Sequence, residues 1–428
     1  MDKADTTSNK KIHGKTGLWT LVRKALSLGT TPNPPPPPPS LPLTKAVGDD
    51  WKRQRAILTQ GPLQNLPRQT RTAARAVQWE RYFRRNDTIA EVVVQVDLKQ
   101  VTSQVVCEWA VRLFQGRENA ALQQHFLAYW AEFRKRGKNN RNDDEQQQQH
   151  RATVQSMKAK VVQASSWTDD DGDGLFQAFH RAGFQSKGEV EENALHAMVA
   201  GSDAANGLVF WTLWNLSSHH REDDKDFWNV CCHEECERRQ QESINTATVP
   251  QDFVEVDETD LELLGHIKQL ATQGQPIPAE TTTQLSFLGK CLLETVRCFP
   301  PVWTLPRAWN GNDAISAKLD VPMINGVTDP RTDWDPQRYD ITNNNNSTSN
   351  DNEPIYLASF GLGKRSCPAG TAAFVAARIL LGKFCQTFAE LEECQPYRAL
   401  HSAYLGPTLA VDGEQWFRLT TRTTATQK

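Results

Sequence analysis

Phe360-Gly361-Leu362-Gly363-Lys364-Arg365-Ser366-Cys367-Pro368-Ala369-Gly370 is a glycine-broken stretch that hands one cysteine to an apolar run. Over residues 371–388 the apolar positions recur as in a buried helix, and Pro368 suits a first helical position, where its missing N–H costs nothing. A thiol there meets unpaired backbone N–H groups and the positive end of a helix dipole. Both favour the thiolate, the form that binds metal. Arg365, just before it, adds positive charge. A lone cysteine beside a loop is more often a buried core residue, so the reading depends on what else the chain carries.

With 428 residues and 38% apolar content, the chain can bury a large core, as one big domain or as two or three smaller ones. No apolar run reaches the roughly 18 residues that mark a membrane helix. The longest, around 207–216, is interrupted by Thr212 and Asn215. Residues 1–15 are polar and do not open a signal peptide. A net charge of −3 argues against nucleic acid as the main partner. Nine scattered cysteines, an odd number, suit free thiols in a reducing compartment. Residues 1–42 form a polar, proline-rich and flexible segment, in which Pro34 to Pro39 is a stiff polyproline spacer or a ligand for a proline-binding module. The globular pattern runs from Leu43 to the end, residues 43–428.

Early in that pattern, Trp51 and Arg55 stand at i and i+4, so a helix puts them on one face, where they can grip an anionic group or form a surface cation–π pair. Residues 76–135 read as several amphipathic helices, with 92–98 and 101–114 supplying core positions. Residues 137–150 are Gln-rich and read as a mobile connector. Asp169 to Gly174 matches half of a calcium loop, but His180 stands where the loop needs a bidentate Glu. Cys231, Cys232, His233 and Cys236 invite a zinc reading, yet the first two are adjacent and no second ligand pair follows, so a helix end with free thiols fits better.

Residues 188–220 read as one long buried helix whose middle, Ala200-Gly201-Ser202-Asp203-Ala204-Ala205, is small enough for tight helix packing or for something large and flat. Residues 284–298 read as a helix carrying Glu294 and Arg297 three apart on one face. A turn follows, Phe299-Pro300-Pro301-Val302, then Arg307 and, after Asp329, Pro336-Gln337-Arg338-Tyr339.

Taken together these stretches resemble the cytochrome P-450 family. Phe360, Gly363, Arg365 and Cys367 resemble its haem-binding loop, Phe-x-x-Gly-x-Arg-x-Cys-x-Gly, with Ala369 in place of the last glycine and Gly370 one residue late. Trp51 and Arg55 are similar to the Trp-x-x-x-Arg of its helix C, which binds a haem propionate. Ala200 to Ala205 resembles the helix I sequence Ala-Gly-x-Asp-Thr-Thr, with alanine at both threonine positions and an aromatic, Trp211, downstream. Glu294 and Arg297 resemble the Glu-x-x-Arg of helix K, Arg307 a second propionate-binding arginine, and Arg338 the third member of the structural ion-pair network. Trp51 stands earlier than its family counterpart, so the N-terminal layer reads as absent, replaced or lost by truncation.

The resemblance implies a mainly α fold with a smaller β-region and haem b, its iron held by the Cys367 thiolate. Trp51, Arg55, Arg307 and Arg365 would bind the propionates, with Phe360, Ala200 and Gly201 against the macrocycle. It further implies oxygen insertion from O2 into a small apolar organic substrate, Asp203 as the proton-delivery acid, and electrons from a separate reductase, since no flavin or nicotinamide motif occurs in the chain. Ala204 and Ala205 keep open an isomerase, dehydratase or peroxygenase acting on lipid hydroperoxides, and the shortened N-terminal layer keeps open a degenerate, non-catalytic haem protein. The expected location is cytoplasmic, or the endoplasmic reticulum membrane if an N-terminal anchor is missing from this sequence.

Overall fold

The computed structural model describes residues 48–83, 93–135, 144–165, 173–218, 226–245, 258–308, 316–340, 355–394, 403–405, 409–411 and 413–422. The N-terminal segment and the half calcium loop up to Gly172 lie outside the described residues.

In chain order the elements are α1 (Gly48–Gln60), α2 (Leu66–Ala76), a 3₁₀ turn (Trp79–Tyr82), β1 (Val93–Asp97), α3 (Leu98–Gln115), α4 (Ala120–Lys135), α5 (Asp144–Ala164), α6 (Leu175–Arg181) and α7 (Lys187–Ser218). There follow α8 (Phe227–Asn245), α9 (Glu258–Gln273), α10 (Ala279–Thr283), α11 (Phe287–Cys298), β2 (Thr304–Ala308), β3 (Ser316–Asp320), α12 (Val321–Ile324) and α13 (Pro330–Asp333). After two more 3₁₀ turns (Pro336–Tyr339 and Gly363–Arg365) come α14 (Gly370–Thr387), β4 (Phe388–Glu393), β5 (Ala403–Leu405), β6 (Leu409–Val411) and β7 (Trp416–Thr421). The architecture is mainly α with small antiparallel sheets: β1-β7-β4, in which Val96 faces Phe417 and Leu391 faces Leu419, and the pairs β2-β3 and β5-β6.

The core follows from the apolar helices. α7 is buried nearly all round, with Leu195, Met198, Leu208, Trp211 and Trp214 at 1% exposure or less. A helix buried on most sides needs several partners, and α3, α11 and α14 supply them. α14 is as apolar, carrying Phe374, Ile379, Leu380, Leu381 and Phe384 inward, and it also packs on α2, α8 and α9. α3 is bounded by its own chemistry: the Asp97 side chain accepts the Lys99 N–H at its start, and Gly116 at φ 78° closes its end.

Three sequence expectations change. Residues 93–97 are strand, because Val93, Val94 and Val96 pair with β7. The Gln-rich stretch is helical from Asp144 onward, as its Glu, Gln, Arg and Ala content permits once α5 can pack on α4. Pro368 lies ahead of the helix, whose N-cap is Ala369.

Candidate functional site

The cysteine loop is shaped by its own backbone bonds. Gly361 N–H donates to Ala358 O (2.8 Å), Ser366 N–H to Gly363 O (3.0 Å) and Cys367 N–H to Phe360 O (2.7 Å). Gly361 and Gly363 sit at φ 67° and 66°, where a side chain would be strained. Ala369 has φ −106°, open to any residue, and its N–H is turned to the Cys367 thiol. That turn is why Pro368 does not open the helix. The close approach falls one residue later: a Cβ on Gly370 would lie 2.8 Å from Phe360 Cδ1 and 3.0 Å from Lys268 Cε. Alanine at 369 with glycine at 370 therefore satisfies the geometry. The Phe360 ring packs tilted on Phe374, with centroids 5.0 Å apart.

Cations converge on this loop from distant elements. Arg55 of α1 donates from Nη1 to Ser366 O at 2.9 Å. Arg365 stacks over Trp51, its Cζ 4.5 Å from the ring centroid, so Trp51 pairs with the loop arginine and Arg55 with the loop backbone. Lys268 of α9 is the third cation. Burial pushes the Cys367 thiol up, opposed by the Ala369 N–H and the charges of Lys268 and Arg55. Burial likewise lowers the Lys268 ammonium, and Arg55 adds to that, while Cys367 works against it. Cys367 itself keeps part of its surface open. A soft sulfur donor ringed by cations suits a borderline metal carried in an anionic group. Lys268 gave no sequence signal, because on an amphipathic helix it reads as a solvated lysine.

On α7, Ala200 is exposed and Gly201 and Ala204 are half-buried, an open face on an otherwise buried helix. A Cβ on Gly201 would meet no atom within 4 Å. Asp203 points elsewhere: its Oδ1 accepts from Trp130 Nε1 (2.6 Å) and Arg134 Nε (2.7 Å) on α4, and Arg134 lies over the Trp130 ring. Ser202 is fully buried, and its hydroxyl has no hydrogen-bond partner among the described residues. Trp211 stacks on Phe299 at 4.7 Å.

Glu294 is the centre of a second cluster. Arg297 holds it through Nε (2.8 Å) and Nη2 (2.7 Å), Arg338 Nε approaches to 2.9 Å, Tyr339 donates its hydroxyl (2.8 Å) and Asp335 its N–H (2.9 Å). Arg297 Nη2 also donates to Asp333 O at 2.7 Å. Burial alone would raise the Glu294 carboxyl, but Arg297 and then Arg338 bring it below the ordinary value. The same carboxylate and burial push the Tyr339 phenol well up. A further buried cluster had a faint sequence signal, an arginine inside the apolar run 371–388. Arg378, fully buried, bridges Asp260 of α9 (2.6 Å) and Glu235 of α8 (2.5 Å).

No family model matches the sequence, and no curated protein matches it. Among solved structures the chain is similar to the crystal structure of a cytochrome P450, CYP102L1, with a TM-score of 0.55 and 16% identity over 88% of this chain and 79% of that one. The fold is of the cytochrome P450 type. That P450-type fold is the mainly α architecture with a smaller β-region that the sequence implies.

The remaining candidates separate. In this P450-type fold, Arg307 holds a backbone place in β2 opposite Ala317, and its propionate-binding role falls outside the described side chains. The nine cysteines are free, Cys231 and Cys232 being buried early in α8 rather than at a helix end. Among the described residues no cluster of three or more His, Cys, Asp or Glu could hold a metal, and no helix is long and apolar enough to cross a membrane.

Proposed function

We propose that this chain is a haem-thiolate oxidoreductase of the monooxygenase type, with haem b ligated by Cys367. The observation that carries the reading is the Cys367 thiol at a loop closed on Phe360 O, with Arg55 of α1 and Lys268 of α9 brought to it and the loop's own Arg365 stacked on Trp51. These residues fit the group: an exposed Ala200 beside an unencumbered Gly201 leaves room against α7, and the cations match carboxylates. When bound, haem supplies redox-active iron for oxygen activation.

The chain's own residues do the rest. The Ala369 N–H, Lys268 and Arg55 stabilise the thiolate against the burial that disfavours it. Arg55 and Arg365, the latter steadied on Trp51, offer charge-assisted bonds to the propionates. Ala200, Gly201 and Ala204 leave the facing surface free of polar side chains. Asp203 is the acid nearest that face in sequence and would have to leave Arg134 to carry a proton. The substrate is a small apolar organic molecule and the electrons come from a separate reductase.

One observation favours a second reading, the rearrangement or use of a hydroperoxide. Ala204 offers no hydroxyl, and Asp203 is held by Trp130 and Arg134, so the groups that would relay protons to dioxygen are absent or engaged. The reduced, carbon monoxide-bound spectrum tests both: a red-shifted thiolate Soret band is expected and should vanish in Cys367→Ala. Its absence from folded, haem-loaded protein would end the assignment. Turnover with NADPH and a reductase supports the monooxygenase, whereas turnover with a fatty-acid hydroperoxide alone supports the second reading.

A further inference from the structure

The bonds that shape the cysteine loop are internal to it, so the place where the loop stands has to be fixed by contacts at its base. Leu362 packs with Val321, Ile324 and Ala358 in a small apolar cluster apart from the main core, with Leu305 and Tyr356 at its edge. Val321 and Ile324 belong to α12, a single turn. Asp320 fixes its start by accepting the Met323 N–H at 3.1 Å, and the Val321 N–H bonds Trp303 O at 2.9 Å. Asn325 ends the turn, its N–H bonded to Val321 O at 2.9 Å.

The Asn325 side chain is buried and uses its amide in both directions. Oδ1 accepts the Ala358 N–H at 2.7 Å. Nδ2 donates to Arg297 O and to Ser359 Oγ, both at 3.0 Å, and Ser359 Oγ donates in turn to Val296 O at 2.7 Å. Val296 and Arg297 lie in the last turn of α11, where carbonyls have no partner within the helix. One amide thus closes the end of the helix that carries Glu294 and grips the segment that leads into the cysteine loop.

A helix cap alone would need only the Nδ2 donors. The Oδ1 bond adds nothing to α11, and its effect falls on Ala358. That residue is fully buried, so its N–H loses a partner that water does not replace if Asn325 is removed. The Ala358 carbonyl accepts the Gly361 N–H, and Phe360 O accepts the Cys367 N–H, so a run of hydrogen bonds leads from α11 through Asn325 to the cysteine.

We propose that Asn325 is a positioning residue for Cys367: by fastening Ala358 to the end of α11 it sets where the loop presents its sulfur. The inference rests on Cys367 as the haem ligand, and Asn325 acts on it through the backbone of residues 358–361.

The carbon monoxide spectrum of the reduced, haem-loaded full chain tests it, read as the ratio of the red-shifted thiolate band to the unshifted band. Asn325→Leu keeps the side-chain volume and removes every bond, and the ratio is expected to fall about tenfold, the scale of one lost hydrogen bond. Ser359→Ala takes the donor from Val296 O but leaves the Ala358 bond, so it should lower the thermal melt and hold the ratio within about twofold. Asn325→Asp keeps an acceptor for Ala358 and should hold the ratio as well. An unchanged ratio in haem-loaded Asn325→Leu overturns the inference, and so does an equal fall in Ser359→Ala, which would make Asn325 a helix cap only. Should Asn325→Leu take up no haem, Asn325→Asp decides: a retained thiolate band supports positioning through Ala358, and a lost one overturns it. A haem-loaded wild type without the red-shifted band fails the Cys367 assignment itself and takes the inference with it, whereas a wild-type band that Asn325→Leu leaves unmoved fails the inference alone.

Discussion

At the scale of single residues, the loop around Cys367 tolerates a change at one position and forbids it at the next. Ala369 has a backbone any residue adopts, while a Cβ at 370 would press on Phe360 at 2.8 Å and Lys268 at 3.0 Å. Gly370→Ala is expected to cost about 1–3 kcal/mol by overpacking and to lower the thiolate fraction in the carbon monoxide spectrum. Ala369→Gly should change stability by less than about 1 kcal/mol. A thermal melt and the haem content of both variants check this, and equal melts would show that Phe360 yields freely. Glu294 permits a sharper expectation. Its carboxyl is buried, yet Arg297 and, less strongly, the one-third exposed Arg338 hold it below its ordinary value. Glu294→Gln strands Arg297 and should cost about 3–5 kcal/mol at neutral pH by chemical denaturation. A depressed carboxyl contributes stability that is present above its unfolded value, about 4.3, and is lost as pH falls through the folded value. The gap between wild type and Glu294→Gln should therefore be flat from pH 7 to about 5 and close below that. A gap that widens in acid would contradict the pairing.

At the scale of elements, α14 is fastened by one side chain as well as by its apolar face. Arg378 is fully buried and bridges Asp260 and Glu235, while Asp260 also takes the Ser286 N–H at 2.8 Å. One guanidinium therefore fixes α14, α9, α8 and the start of α11 relative to one another. Arg378→Met should cost about 3–5 kcal/mol by leaving two carboxylates buried without a partner. The double change Arg378→Met with Asp260→Asn should cost less than the sum of the single ones, which a double-mutant cycle by denaturation measures. Much of this level is legible in the sequence: the apolar recurrence of 188–220 and 371–388 marks two buried helices, and the spacing of Glu294 and Arg297 marks a pair. What stays hidden is partnership. Nothing local says that Trp51 stacks on Arg365 instead of joining Arg55, that Asp203 turns to α4, or that Lys268 sits by Cys367. Each depends on which helices the core brings side by side. The helix at 144–164 was missed for the same reason: its polar sequence has weak periodicity, and packing on α4 supplies what the pattern lacks.

At the scale of the whole molecule, two charged centres differ in how complete they are. Around Glu294 every strong group is answered by protein: two guanidiniums, a phenol and a backbone N–H share one carboxylate. Around Cys367 the balance is unequal, since Arg55 and Lys268 work against a burial that pushes the Cys367 thiol up. A bound anionic haem would answer those cations, and α1 is tied to this site through Arg55 and Trp51 across most of the chain's length. Stability should accordingly divide between them. If haem binds as proposed, removing it is expected to raise hydrogen exchange in residues 48–60 and 360–370 by about tenfold or more, because Arg55, Trp51 and the cysteine loop would lose a shared partner. Residues 287–298 and 330–340 should exchange as before, since the Glu294 cluster needs nothing from outside. Exchange measured by mass spectrometry on loaded and haem-free protein distinguishes this from a uniform loosening, in which both regions would lose protection together and the two centres would be one cooperative unit.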